Sequence, residues 1–141
     1  MTPENREKLA ADLRQAEGLR LKAYRDTEGV LTCGFGTNLE QLTITRDLAD
    51  QWLNDKILEA EHDAQTFPWY AGLDSVRQRA IVELLYNLGL TRLRLFRVAL
   101  RALAAGEWDA AATAFLASKW ARQVGPTRAG RIARMVRTGA A

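Results

Sequence analysis

The chain reads as an α+β protein that is mostly helical, and three observations predict this. β-prone residues gather in one stretch, 19–44. A helix-start signal precedes it, and apolar residues recur at helical spacing through nearly everything that follows. At 141 residues one domain is expected, long enough to bury a core without disulfides or metal.

In Thr2-Pro3-Glu4, Thr is an N-cap, Pro suits the first helical position and Glu favours the first turn. Leu9, Leu13 and Ala16 then carry a helix to about Glu17, where Gly18 stops it. Leu19, Leu21 and Ala23 alternate with polar neighbours, Val30–Cys33 returns after a turn, and Thr43–Thr45 predicts a third short strand. Thr45 caps a second helix over about 46–66, whose acids form a solvated face, and Phe67-Pro68-Trp69 ends it. Asp74 caps the next helix, with an apolar stripe from Val76 to Leu88 and a stop at Gly89. Further helices are expected over Leu93–Ala105, from Trp108 to about Ser118, and from Thr127 to about Arg137.

Residues 17–36 carry the chemistry. Glu17 ends the first helix, Asp26-Thr27-Glu28-Gly29 is a hairpin turn, and Thr32 lies on the returning strand before Gly34 and Gly36. A helix end, a turn and a strand can converge on one point. That point would hold a carboxylic acid, a carboxylate and a hydroxyl, the equipment for acid-assisted attack by water. A Glu at a helix end is usually only solvated, so Glu17 gains its meaning from the company it keeps.

Composition limits the alternatives. The single Cys33 excludes an intramolecular disulfide, fits a reducing compartment, and reads as a small strand residue. His62 has no second histidine or cysteine nearby, so neither metal nor another cofactor is expected. No stretch approaches the roughly 20 apolar residues of a membrane span, and the first residues lack the apolar run of a secretory signal. No membrane insertion is expected. Residues 1–91 carry ten Lys/Arg and fifteen Asp/Glu, for −5, whereas residues 92–141 carry ten and two, for +8. The basic half predicts a polyanionic partner such as nucleic acid, a membrane surface or a bacterial wall.

The pattern Glu17-Gly18, Tyr24, Asp26, Gly29, Thr32, Gly34, Gly36 resembles that of the bacteriophage-type lysozymes of T-even phages and their relatives. So do Leu73-Asp74-x-Val76-Arg77, Gly89, Phe96, Trp108-Asp109, Ser118-x-Trp120, Pro126-x-Arg128-Ala129 and Arg137-Thr138-Gly139, so the resemblance covers nearly the whole chain. It implies a lysozyme-like fold with a cleft between two lobes. A β-containing lobe and linking helix would span about 14–60, and residues 1–13 with 61–141 would form a helical lobe.

The resemblance also implies a muramidase that hydrolyses the β-1,4 bond between N-acetylmuramic acid and N-acetylglucosamine in peptidoglycan. Glu17 would be the acid, with Asp26 and Thr32 positioning water for an inverting reaction. Arg128 would pair with Glu17, and Tyr86 and Asn87 would lie near the sugars. A monomer is expected, with peptidoglycan and not nucleic acid as partner. It would be held in the bacterial cytoplasm until a separate holin releases it. Thr37 stands where the family has a structural histidine, and the loop before the second helix is shorter. Two rivals remain: a lytic transglycosylase, which needs no water-activating carboxylate, and a non-catalytic protein binding cell wall or nucleic acid.

Overall fold

The computed structural model describes residues 1–140. Among them are eight α-helices and one three-stranded sheet. The chain divides into two compact units, Met1–Leu48 and Ala49–Ala141.

The first unit opens with α1 (Pro3–Glu17), where the hydroxyl of Thr2 accepts the Asn5 amide at 3.2 Å. At the other end Gly18, with φ +68, donates its amide to Arg14 and turns the chain out of the helix. β1 (Arg20–Arg25) and β2 (Leu31–Gly34) pair antiparallel, with an irregularity between Arg20 and Tyr24. The Gly29 amide donates to the Asp26 carbonyl at 3.0 Å and the Asp26 amide to the Val30 carbonyl at 3.0 Å. This closes the turn expected there, and Gly29 at φ +81 takes the one position in it that favours glycine.

The third strand is a correction. It is β3 (Thr37–Asn38), not Thr43–Thr45. Cys33 pairs with Thr37 across a tight turn, so β2 meets its second neighbour at once. Thr45 serves instead as the cap of the next helix, its hydroxyl accepting the Leu48 amide at 3.2 Å.

That helix, α2 (Arg46–Ala64), leads into the second unit, and a single 3-10 turn (Tyr70–Gly72) follows it. In α3 (Ser75–Leu88) one oxygen of Asp74 accepts the amides of Val76 and Arg77, and Gly89 ends the helix. Two other expectations are corrected. The single helix over Leu93–Ala105 is broken into α4 (Leu90–Leu93) and α5 (Arg97–Ala105). Between them the backbone bends at Phe96, φ −80 and ψ +55, and its ring sits 5.8 Å from that of Phe115. Continuing the helix would forgo this inward placement of the ring. The next helix, α6 (Trp108–Leu116), stops before Ser118, which starts the unexpected α7 (Lys119–Val124). The Ser118 hydroxyl donates to the Phe115 carbonyl at 2.6 Å and accepts the Ala121 amide at 3.2 Å, so one side chain closes one helix and opens another. Finally α8 (Pro126–Thr138) ends at Gly139.

The buried core belongs to the second unit. Ile81, Leu84, Leu93, Leu103, Phe115, Ile132 and Val136 fill it, with alanines of α3, α5, α6 and α8 allowing close helix approach. In the first unit only Thr32 is buried.

Candidate active site

Glu17 is the last residue of α1, and its side chain reaches the turn between β2 and β3. A β-carbon built on Gly36 would lie 2.7 Å from Oε2 of Glu17 and 3.3 Å from its Cδ. The carboxyl group therefore rests against the backbone at a position that only glycine leaves open. Gly36 has φ +74, a second reason for glycine there.

Asp26 begins the β1–β2 turn. Its Oδ1 accepts the amides of Glu28 and Val30, both at 2.9 Å. No partner among the described residues takes the other oxygen. Thr32, on β2, is 5% exposed, and its hydroxyl donates to the Val30 carbonyl at 3.1 Å. The same carbonyl accepts the Asp26 amide at 3.0 Å. One backbone group thus ties the aspartate's turn to the threonine's hydroxyl. Cys33 is half-buried, with Sγ 3.3 Å from the Arg20 carbonyl, and Thr37 is exposed at the start of β3.

The other three expected residues belong to the second unit. Nε of Arg128 lies 3.1 Å from Oε1 of Glu83, which also accepts from Nη2 of Arg131 at 2.6 Å. Glu83 is half-buried on α3. Burial alone would push its carboxyl up, but hydrogen bonds and charge from Arg131 and then Arg128 outweigh burial and hold it below its ordinary value. Glu83 is not among the residues that the sequence singles out. Its signal was a lone acid inside the apolar stripe of α3, between Val82 and Leu84.

Tyr86, exposed on α3, lines a groove of about 620 Å³ within the second unit, with Leu53 and Ile57 of α2 on one side and Val82, Glu83 and Arg128 on another. Asn87 does not line that groove. Its Oδ1 accepts the indole N–H of Trp120 at 2.8 Å, which satisfies the one polar group of a side chain buried to 3% exposure.

The model of the phage lysozyme family matches residues 14–137. A probable T4-type lysozyme 1 of Dictyostelium discoideum is 25% identical, over 90% of this chain and 92% of that protein. The pre-baseplate central spike protein Gp5 of Enterobacteria phage T4 is 27% identical over 93% of this chain, which spans only 28% of the spike protein's length. With residues 14–137 matched, the chain belongs to the phage lysozyme family.

Proposed function

We propose that the chain is a muramidase, an inverting glycoside hydrolase that cuts the β-1,4 bond between N-acetylmuramic acid and N-acetylglucosamine in peptidoglycan. The observation that carries this is the family match over 14–137, which includes every residue of the Glu17–Gly36 motif.

The chemistry divides between two faces of the sugar. Glu17 gives its proton to the departing glycosidic oxygen, without which the leaving alkoxide is too poor. Asp26 and Thr32 hold the attacking water on the opposite side. The Thr32 proton is committed to Val30, so its oxygen can only accept toward a water. Asp26 offers its second oxygen, which also accepts. A water donating one hydrogen to each turns its lone pair outward, toward the anomeric carbon. As the bond forms, one proton passes to Asp26 and Glu17 is left ionised; exchange with solvent then removes the proton from Asp26 and returns one to Glu17 before the next turnover. In the second unit, the exposed ring of Tyr86 beside an apolar groove suits the apolar face of a sugar.

Two supports come from the first unit's own geometry. Gly36 leaves room for the acid's carboxyl, and the Val30 carbonyl links the two water-holding residues. The bacteriolytic role belongs to the same proposal, since cutting the glycan strands removes the wall's tensile strength.

Mass analysis of the products from purified peptidoglycan tests it. A hydrolase yields reducing ends, heavier by one water than the anhydro ends of a lytic transglycosylase. Anhydro products would replace the hydrolase with its rival. An intact polymer that still binds the protein would favour the non-catalytic reading.

A further inference from the structure

The corner made by α4 and α5 carries a surface that hydrolysis does not use. Residues 90–106 contain Arg92, Arg94, Arg97 and Arg101 and no acid. All four are exposed, and none has an acidic partner among the described residues. Between them stand Leu95, 69% exposed, and Val98, 71% exposed, the two most exposed large apolar side chains of the second unit.

Their placement follows from how α5 sits. Ala99, Ala102 and Leu103 face the core, so Val98, Arg97 and Arg101 face outward. The bend at Phe96, which breaks the helix, turns Leu95 outward in the preceding turn while its neighbour's ring goes inward. A shallow hollow of about 310 Å³ lies alongside, lined by Leu95, Phe96 and Val98 with Ala114 and Ser118. Single exposed aliphatics are ordinary on protein surfaces. A pair flanking the bend at Phe96, with the exposed Arg92, Arg94, Arg97 and Arg101 in the same segment, is a more specific arrangement.

Each class of polyanion satisfies this surface differently. A wall polymer or a nucleic acid rewards the arginines and leaves Leu95 and Val98 in water. An anionic bilayer rewards both, with guanidinium groups at the level of the phosphates and aliphatic tips at the acyl boundary. We propose that the α4–α5 corner docks peripherally on an anionic lipid surface, with Leu95 and Val98 as the immersed tips and Arg92, Arg94, Arg97 and Arg101 as the headgroup contacts. The contact is a docking and not a span, for no helix is long and apolar enough to cross a membrane. The +8 carried by residues 92–141 adds a long-range, salt-screened attraction to the same surface. Docking would hold the protein beside the wall layer nearest the membrane.

Flotation of the full chain with vesicles tests this, and it needs no hydrolytic activity. Vesicles of phosphatidylglycerol with phosphatidylcholine should carry the protein up the gradient, and phosphatidylcholine alone should not. Leu95→Ser with Val98→Ser should lower the partition coefficient about thirtyfold, from the loss of two partly immersed side chains. Arg97→Gln with Arg101→Gln should lower it about twenty-fivefold and flatten its salt dependence. Val98→Trp, which keeps an apolar tip and adds an interfacial ring, should tighten binding. Dextran sulfate supplies charge without an apolar phase, and there only the arginine variants should weaken. Equal binding to neutral and anionic vesicles would overturn the proposal. So would vesicle binding that is indifferent to the Leu95 and Val98 changes, which would leave a simple polyanion as the partner.

Discussion

Replacing Gly36 with alanine would put a methyl group 2.7 Å from Oε2 of Glu17 and 3.3 Å from its Cδ. Two costs follow, and they fall on different observables. The backbone at φ +74 strains any β-carbon, at roughly 1–2 kcal/mol. The clash adds little to that, because the carboxylate is the far end of a flexible side chain and swings aside. It must move by most of an ångström to restore van der Waals distance, however, and a misplacement of about 1 Å in a reacting group can cost about a hundredfold in rate. The variant should therefore melt a few degrees lower and clear a cell-wall suspension about a hundred times more slowly. Gly34→Ala separates the two effects. Gly34 has a similar φ of +69, but its nearest neighbour would be Oγ1 of Thr37 at 3.9 Å. It should lose similar stability and keep most of its activity. Near wild-type clearing by Gly36→Ala, or equal losses in both variants, would refute the argument that Gly36 exists to seat Glu17.

Glu17→Gln keeps the size and much of the hydrogen bonding of the acid but has no proton to give, so peptidoglycan hydrolysis should fall by about 10²–10⁴-fold at unchanged melting temperature. The anomeric NMR signals of early products should show the α-anomer first; early β-anomer would make Asp26 a nucleophile and remove the water-holding role of Thr32. Asn87→Ala strands the indole N–H of Trp120 and should cost about 1–3 kcal/mol in denaturant unfolding with kcat/KM unchanged, whereas a sugar-contacting Asn87 would show its loss in kcat/KM. Glu83 is held below its ordinary value of 4.5, so its cluster adds stability above that pH and loses it as pH falls through the lower folded value. Melting of Glu83→Gln should accordingly be less acid-sensitive than wild type below about pH 4.5, and parallel melting curves would count against the cluster.

The sequence was most legible where a feature is local. Helix starts at Thr2, Thr45 and Asp74 and stops at Gly18 and Gly89 follow from capping chemistry that spans only a few residues. The Asp26–Gly29 turn and the position of Glu17 at a helix end were legible for the same reason. Most of what failed depended on distant partners. The break at Phe96 follows from the place of the Phe115 ring, nineteen positions on, which helical periodicity does not report. The third strand went to Thr37–Asn38 because a tight turn brought it to β2 before the more β-branched Thr43–Thr45 was reached. Glu83 was hidden among apolar residues, and its two arginine partners lie 45 and 48 residues away. The seat of Glu17 against Gly36 was half legible: the glycine stands out in the motif, but the side chain it makes room for does not.

Arg77 ties together three parts of the second unit. Its Nε and Nη2 donate to the carbonyls of Val136 and Arg137 at 2.8 and 3.1 Å, while Nη1 pairs with the Asp74 that caps α3. Its guanidinium also lies 4.2 Å from the ring of Trp108 at the start of α6. The last turn of a helix ordinarily frays alone, since its final carbonyls have no partners within the helix. Here those carbonyls are received by the first turn of a helix about 60 positions earlier. Opening the last turn of α8 would therefore strip two acceptors from a guanidinium that also braces Asp74 and lies against the indole of α6. Its amides should exchange with solvent more slowly than those of an unbraced helix end, and a protease probing for a loose helix end would find three elements joined by one side chain.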